Sequence, residues 1–454
     1  MKLNIIILAA GEGTRMRSTL PKVLHPLGGR PMLAHVVETA GRLGSETLQV
    51  VYGHGGDRVR QAVTDSRIEW VHQAEQLGTG HAVQMAVTDI PDADTVLVLF
   101  GDVPLLRAET LHQLLHDKGS AALVLLTATL DDASGYGRIV RDGNGKITGI
   151  VEEKDADEEL RRIREINTGI MAISAGPLKQ WLAALDNRNA QQEYYLTDIV
   201  AMAVEQGVEV RSLEATDLFE IMGVNDRRQL ATLEREHQAR QATRLLAAGV
   251  TLMDPARIDI RGQVTCGCDS IIDVNVILEG EVELGTNVSI GANSVIRDSR
   301  VADGVTIREN CVIEHADVGP DCVIGPFARI RPETRLAQGV HIGNFVEIKK
   351  SSVASGSKIN HLSYIGDSRV GSHVNIGAGT ITCNYDGANK HETIIDDDVF
   401  VGSDTQLVAP VRIGRGATIG AGSTITSDVP EGELALSRTP QQTRPGWKRP
   451  RKKS

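Results

Sequence analysis

Hydrophobic positions along this chain follow two different beats. Through about residue 225, short apolar runs at 4–9, 48–52, 95–100 and 122–127 alternate with stretches of helical spacing near 32–43, 57–64, 79–86 and 109–116. Apolar runs of this length read as buried strands, and their alternation with helices predicts a mainly parallel sheet with helices on both faces. Ligands of such sheets sit beyond the carboxyl ends of the strands.

From Ile272 to about Pro430 the period becomes six. The hexads L-E-G-E-V-E, L-G-T-N-V-S and I-G-A-N-S-V return later as I-G-N-F-V-E, V-G-S-H-V-N, I-G-A-G-T-I, I-G-R-G-A-T and I-G-A-G-S-T. Each opens on an aliphatic residue, often has Gly, Asp or Glu second, and has a small or β-branched residue fifth. Two nearby apolar positions per hexad do not serve a helix of period 3.6. They suit a short strand that turns a corner, with Gly or Asn relaxing the bend. Three hexads close one triangular coil, which predicts roughly nine coils of a parallel β-helix.

Between the two beats, residues 226–248 are rich in Glu, Arg, Gln and Ala with scattered Leu. They predict one helix of roughly 30 Å, ended by Gly249 at C′ and acting as a stiff spacer. Beyond about Ser437 the beat is gone and prolines stand at 440, 445 and 450. The expected domains are 1–225, a linker helix at 226–249, a β-helix at 250–436 and a basic tail at 437–454.

Composition narrows the class. With 454 residues, 41% hydrophobic and 24% charged, the chain is of soluble globular type with two or three domains. Only 3% of residues are aromatic, which fits a narrow solenoid interior filled by aliphatic side chains. A net charge of −11 argues against a nucleic-acid partner. The five Lys and Arg of residues 448–454 read as a solvated end. Five cysteines, an odd number with no secretory pattern ahead of them, point to reduced thiols, Cys311 and Cys322 at inward positions. Cys266-Gly-Cys268 has no second pair at zinc spacing. The apolar run at 5–10 is too short to span a membrane. A cytoplasmic protein without membrane insertion is expected.

The first run ends in Leu8-Ala9-Ala10-Gly11-Glu12-Gly13-Thr14-Arg15-Met16, with Pro21-Lys22 soon after. Glycines after a strand let backbone N–H groups approach phosphate oxygens, and Arg15 and Lys22 carry charge suited to a triphosphate. Neither a P-loop ending nor a dinucleotide fingerprint is present. On spacing alone, a glycine-rich turn with nearby charges is an equal alternative. Asp102 follows the run 95–100, where one carboxylate can hold Mg²⁺ with substrate oxygens; a turn or cap Asp is the alternative. In the solenoid the beat breaks at Thr382-Cys383-Asn384-Tyr385-Asp386-Gly387-Ala388-Asn389-Lys390, and a polar loop leaving a rigid coil is a natural place for binding.

These strings are more specific in combination. Residues 8–16, Pro21-Lys22, Gln73 with Gly78-Thr79-Gly80, and Gly101-Asp102-Val103-Pro104 stand in the order found in sugar-1-phosphate nucleotidyltransferases, which this stretch resembles. Gly135-Tyr136-Gly137-Arg138, Val151-Glu152, Glu165-Ile166-Asn167-Thr168-Gly169, Glu193-Tyr194-Tyr195-Leu196-Thr197-Asp198 and Gly223-Val224-Asn225 extend the match. So do Glu347-Ile348-Lys349-Lys350, His361-Leu362-Ser363-Tyr364, Asn375 with Gly377-Ala378-Gly379, and the 382–390 loop. Over essentially the whole chain the sequence is similar to the bacterial bifunctional N-acetylglucosamine-1-phosphate uridyltransferase/glucosamine-1-phosphate acetyltransferase family.

That resemblance implies a Rossmann-like α/β nucleotidyltransferase domain, a linker helix and a left-handed parallel β-helix of hexapeptide repeats. It implies a uridyl-transfer site for UTP and N-acetylglucosamine-1-phosphate made by Leu8, Ala9, Ala10, Gly11, Gln73, Gly78, Thr79, Gly101, Asp102, Gly137, Glu152, Asn167 and Asn225. Arg15 and Lys22 would face the phosphates there, Arg15 as a catalytic charge, and Asp102 and Asn225 would hold Mg²⁺. For acetyl transfer it implies His361 as the base that deprotonates the amine of glucosamine-1-phosphate, with Glu347 orienting the imidazole. Arg331, Lys349, Tyr364 and Asn375 would hold the sugar phosphate, and Ala378, Asn384, Tyr385, Ser403, Ala421 and Arg438 the acetyl-CoA. Relatives of this type are homotrimers, with the tail able to reach a neighbour. One departure stands out: many relatives have Tyr before the Gly-Asp pair where this chain has Phe100. The rival readings are a single-activity nucleotidyltransferase with an oligomerising β-helix, a non-catalytic assembly subunit, and a β-helix carbonic anhydrase.

Overall fold

The computed structural model describes residues 2–452. It contains two compact units, Met1–His237 and Gln238–Ser454.

The first unit is built on a nine-stranded sheet. Its central order is Val210–Glu214, Leu123–Thr129, Glu165–Ser174, Thr95–Phe100, Leu3–Ala9, Thr47–Tyr52, Ile68–His72. All neighbours are parallel except Glu165–Ser174, which runs antiparallel to both of its neighbours. The hairpin Gly137–Arg141/Ile147–Val151 joins its side. Ile5, Ile6 and Ile7 are all fully buried because both faces of the strand are covered. Ile5 and Ile7 pack with Leu33, Leu97 and Leu99 on one face, and Ile6 packs with Val83, Val98 and Trp181 on the other. Strands Leu3–Ala9 and Thr95–Phe100 end level, and the Gly101 N–H donates to the Leu8 carbonyl (2.9 Å). The segments at 10–16 and 101–106 therefore emerge side by side at the carboxyl edge.

The linker helix is Arg227–Ala247. Asp226 caps it, its carboxylate accepting from the N–H groups of Arg228 (2.8 Å) and Gln229 (2.9 Å). At the other end Gly249, at φ 86°, donates to Leu246 (3.1 Å) and Val250 to Leu245 (3.1 Å), a Schellman ending. The helix is more than a spacer. Leu233 is buried with Met16, Leu27, Met32 and Val224 in the first unit, and Ala242 and Leu245 belong to the core of the second.

The second unit is a parallel β-helix whose strands stack coil upon coil. One sheet has eleven strands, from Thr251–Leu252 to Leu434–Ala435. The stacking therefore starts at Thr251, ahead of the visible beat at Ile272, and contains more coils than the nine expected. The early coils use long strands such as Ile258–Cys266 and Val276–Leu284, which turn at Gly262 and Gly280 in mid-strand and continue, so the short hexad beat is not visible in the first of them. Inward columns such as Ile324, Ile342, Ile359, Ile376, Val401 and Ile419 are buried throughout. Cys311 and Cys322 are buried among them, and burial pushes the Cys322 thiol up to about 11. One corner takes left-handed backbone at non-glycine residues in successive coils: Asn275, Asn293, Asn310, Phe327, Phe345 and Leu362. Asparagine tolerates this region, whereas Phe and Leu rarely adopt it. No helix among the described residues is long and apolar enough to cross a membrane.

Candidate active sites

In the first unit, four of the predicted polar residues converge. The Lys22 ammonium is ion-paired with Asp102 and lies 3.4 Å from the Asn225 Oδ1. Arg15 donates to the same Oδ1 at 2.9 Å. Local structure explains the meeting. Lys22 opens the short turn Lys22–Leu24, Asp102 follows a central strand, and the Val224 N–H donates to the Asp102 carbonyl (2.9 Å). Because Asp226 caps the helix, the Asn225 side chain is left to face Arg15 and Lys22. Asp102 and Asn225 thus present two hard oxygen donors to one point now held by an ammonium, a donor set that fits Mg²⁺.

Beside this quartet is a pocket of about 210 Å³ lined by Leu8, Ala9, Ala10, Gly11, Gln73, Gly78, Thr79, Phe100 and Asp102. The Gln73 amide is buried and donates to the Gly78 carbonyl (3.2 Å), with His81 Nδ1 3.1 Å away. Gly78, at φ 112°, has the Tyr194 carbonyl where a Cβ would stand, so a side chain there would close the pocket edge. Phe100 lines the pocket and packs over Gly169.

Gly137, Glu152 and Asn167 form an adjoining group. Asn167 and Gly137 are register partners, and the bare face of Gly137 looks at the Glu152 carboxylate. Glu152 accepts from Thr197 Oγ1 (3.0 Å). Burial raises its pKa, and the carboxylates of Asp198, Asp155 and Glu193 add to the effect. Tyr136 connects this group to the quartet. Its phenol is pushed up by burial and then by the nearby Asp102 carboxylate. It was visible in the Gly-Tyr-Gly-Arg string, yet nothing in the sequence alone placed it beside Asp102.

In the second unit, parallel stacking sorts the predicted residues into lines. His361 is the register partner of Asn344 in the preceding coil, and its Nδ1 lies 2.9 Å from Asn344 Oδ1. With that oxygen as acceptor, Nδ1 carries the hydrogen and Nε2 keeps its lone pair. In later coils Gly379 donates to the His361 carbonyl, Asp404 to Ala378 and Gly422 to Ser403. Ala378, Ser403 and Ala421 therefore follow His361 one coil apart, roughly 4.8 Å per step. Arg438 Nη1 ends the line on the Ala421 carbonyl (2.8 Å).

Glu347, expected to orient His361, has a different partner here. Glu347 binds Arg331 (2.8 Å), and its register partners are Arg329 and Tyr364. It lies three positions beyond Asn344 along the coil, past the Phe345 corner, so parallel stacking hands the imidazole to Asn344. Asn384 stands beside Tyr364 and Asp367. It is buried, donating to Asp367 Oδ2 (2.5 Å) and Tyr364 Oη (3.4 Å), beside Lys349, which is 3.6 Å from Asp367. Lys390 faces Lys349 across this group, and that neighbour lowers its pKa below the ordinary lysine value. Arg331, Lys349 and Lys390 thus gather positive charge near Tyr364. Asn344 and Asp367 were not foreseen, because only the coil-to-coil register brings them to His361 or Lys349; Lys390 lies in the 382–390 loop already marked as a place for binding. Tyr385 stands exposed in the loop, paired with Lys390 by an isolated bridge. Asn375 sits between Lys358 and Phe400 in the ladder. Broader grooves on the solenoid, lined by residues such as Glu283, Arg300, Asp317 and Arg335, carry their own ion pairs and none of these residues.

A nucleotide-type parallel sheet followed by a hexapeptide β-helix defines a nucleotidyltransferase joined to an acyltransferase. Family models agree: the MobA-like NTP transferase domain matches residues 5–196, the bacterial transferase hexapeptide (six repeats) 392–427, and the hexapeptide repeat of succinyl-transferase 281–314. The chain is 57% identical over 450 residues to the bifunctional protein GlmU of Marinobacter nauticus, covering 99% of both chains. It is 58% identical over 453 residues to that of Methylococcus capsulatus, covering 100% of this chain and 98% of the relative. A 58% identity over 448 residues, 99% of this chain and 98% of the relative, relates it to that of Ralstonia nicotianae. The chain belongs to the GlmU family of bifunctional proteins. It is a bifunctional enzyme of UDP-N-acetylglucosamine synthesis, an acetyltransferase and a uridyltransferase in one polypeptide.

Proposed function

We propose that the His361 line carries acetyl transfer and the Arg15–Lys22–Asp102–Asn225 quartet carries uridyl transfer. Residues 1–225 would serve the second reaction, 226–249 link the halves, and 250–436 serve the first, with the tail at 437–454 beside it; residues 453–454 lie outside the described part of that tail. The observation that carries the reading is His361, its Nε2 left as a base by Asn344, at the head of a straight run of small residues. An extended coenzyme fits such a line better than a globular ligand does.

In the acetyl step His361 Nε2 takes a proton as the amine nitrogen of glucosamine-1-phosphate attacks the thioester carbon of acetyl-CoA. The C–N bond forms, the C–S bond breaks, and the thiolate leaves to be protonated. Arg331, Lys349 and Lys390 hold the sugar phosphate, with Tyr364 and Asn375 beside it. Glu347 acts through Arg331. Ala378, Tyr385, Ser403, Ala421 and Arg438 line the acetyl-CoA path, and Asn384 joins it to the sugar site.

In the uridyl step a phosphate oxygen of N-acetylglucosamine-1-phosphate attacks the α-phosphorus of UTP, and the bond to pyrophosphate breaks. Arg15 and Lys22 neutralise the phosphates. Gln73, Gly78 and Thr79 receive the uracil, while Gly137, Glu152 and Asn167 receive the sugar. Asp102 and Asn225 hold Mg²⁺, which supplies charge neutralisation on the phosphate oxygens when bound.

We also propose a cytoplasmic homotrimer. Phe327, Phe345 and Leu362 are 49%, 56% and 62% exposed along one corner, an apolar strip next to His361 that suits cover by a second copy. His361→Ala should abolish acetyl transfer and spare uridyl transfer, and Asp102→Ala should do the reverse. Retained acetylation in His361→Ala overturns the assignment of the second unit.

A further inference from the structure

The two residues that face Lys22, Asp102 and Asn225, sit on two separate loops, and a second pair of residues ties those loops together. Glu220 precedes Asn225 by five positions, and Arg107 follows Asp102 by five. The Glu220 side chain is only 2% exposed, deeper than most carboxylates are found. It is nonetheless surrounded by donors. Arg107 contacts it through Nε and Nη2, Thr110 Oγ1 donates at 2.6 Å, and the Arg107 backbone N–H donates at 3.3 Å. Helix Ala108–Lys118 begins here, so the carboxylate also faces the positive end of that helix.

The connection has a direction. The Val224 N–H reaches the Asp102 carbonyl, and between that bond and the Arg107–Glu220 pair Val103, Leu106 and Ile221 are buried in one cluster. The two loops are therefore fastened twice, once beside Asp102 and once five residues away. Chain from 103 to 106 and from 221 to 224 has little freedom between these points. A surface ion pair would leave such loops loosely held. A buried carboxylate held on one oxygen by the half-exposed Arg107 guanidinium, and on the other by a hydroxyl and a backbone N–H, does not.

We propose that Arg107–Glu220 is a positioning pair for the divalent-cation site: it fixes the separation of Asp102 and Asn225 without touching substrate. This rests on the reading of Asp102 and Asn225 as the cation's protein partners. Groups that orient ligands from behind typically change metal affinity by about 10–100-fold when removed. Loss of the pair leaves the phosphate contacts of Arg15 and Lys22 in place, so the effect falls on the cation rather than on nucleotide affinity measured without it.

The test uses the full-length chain. Glu220→Gln and Arg107→Lys are titrated with Mn²⁺ in the presence of a non-hydrolysable UTP analogue, with calorimetric readout, and the Mg²⁺ dependence of uridyl transfer is measured in parallel. Acetyl transfer by the same preparations reports whether the chain is intact. The expected result is Mn²⁺ binding at least tenfold weaker in Glu220→Gln, a smaller loss in Arg107→Lys, and unchanged acetyl transfer. Higher Mg²⁺ should recover much of the uridyl transfer. If Glu220→Gln does not fold, Arg107→Lys, which keeps the charge and loses the fork, carries the test alone. Lower thermal stability with unaltered Mn²⁺ affinity makes the pair merely structural and overturns the proposal. Asp102→Asn separates the two readings. If it binds Mn²⁺ like the parent chain, the cation-site reading itself fails; if it loses binding while the Arg107 and Glu220 variants keep theirs, only the positioning role fails.

Discussion

His361 Nδ1 lies 2.9 Å from Asn344 Oδ1, and the two residues occupy the same place in adjacent coils. An amide oxygen fixes the ring's tautomer without adding the negative charge that a carboxylate would bring. Asn344→Leu should lower kcat of acetyl transfer about tenfold or more, within the range that general-base catalysis contributes. Glu347→Gln should instead raise KM for the sugar phosphate, through Arg331, with kcat little changed. Steady-state kinetics of both variants checks this; a kcat loss confined to Glu347→Gln contradicts it.

Lys22 has two partners at once, Asp102 and Asn225. Lys22→Met should reduce uridyl transfer by roughly 10²-fold, as loss of one charge-stabilising group does. The same change should tighten cation binding to the nucleotide-free chain, because an ammonium no longer competes for the two oxygens. Mn²⁺ titration without nucleotide measures the second effect, and unchanged or weaker binding contradicts it.

Lys390 gives acetyl transfer a pH dependence of definite sign. Its pKa lies below 10.5 because Lys349 faces it, and its ammonium form is the one that attracts phosphate. KM for glucosamine-1-phosphate should therefore rise as pH increases through that depressed value. Lys390→Arg stays charged and should flatten the rise. A profile identical in the two proteins removes Lys390 from the phosphate site.

Gly169 has φ 83°, and a Cβ there would lie 2.5 Å from the Phe100 ring. Gly169→Ala should cost about 1–3 kcal/mol, from backbone and overpacking together, and should shift Phe100 at the pocket wall. Chemical denaturation and the KM for UTP report the two effects. Phe100→Tyr, which adds a hydroxyl at the pocket edge, is expected to leave stability within about 0.5 kcal/mol.

Phe345→Glu tests assembly. A charge on the exposed corner should convert the assembly to smaller species in sedimentation velocity. Acetyl transfer should fall with it while uridyl transfer persists. An unchanged sedimentation coefficient places the subunit contact elsewhere.

The sequence by itself determined the classes of structure. Period six points to a solenoid, and apolar runs alternating with helical spacing point to a sheet covered on both faces and mainly parallel, because these patterns hide apolar side chains in those ways; the antiparallel course of Glu165–Ser174 was not written in them. Strings such as the one from Leu8 to Met16 and the one around His361 were legible because neighbouring residues in sequence remain neighbours in a turn or strand. The missed edge strands, Ile68–His72 and Val210–Glu214, have only half-buried and exposed positions, so they lack a continuous apolar run. The central strand Glu165–Ser174 and the hairpin Gly137–Arg141/Ile147–Val151 were missed as well, the first because Asn167-Thr168-Gly169 interrupts its apolar residues.

Tertiary structure alone decided which residues meet across the chain. Asn344 rather than Glu347 faces His361 because parallel stacking joins residues 17 positions apart, and the coil turns a corner at Phe345 between those two candidates. Asn225 meets Arg15 across 210 positions, and Arg107 meets Glu220 across 113. Local propensity carries no information at such separations. These contacts follow from strand order and register, which arise only when the whole sheet or coil has closed around its core.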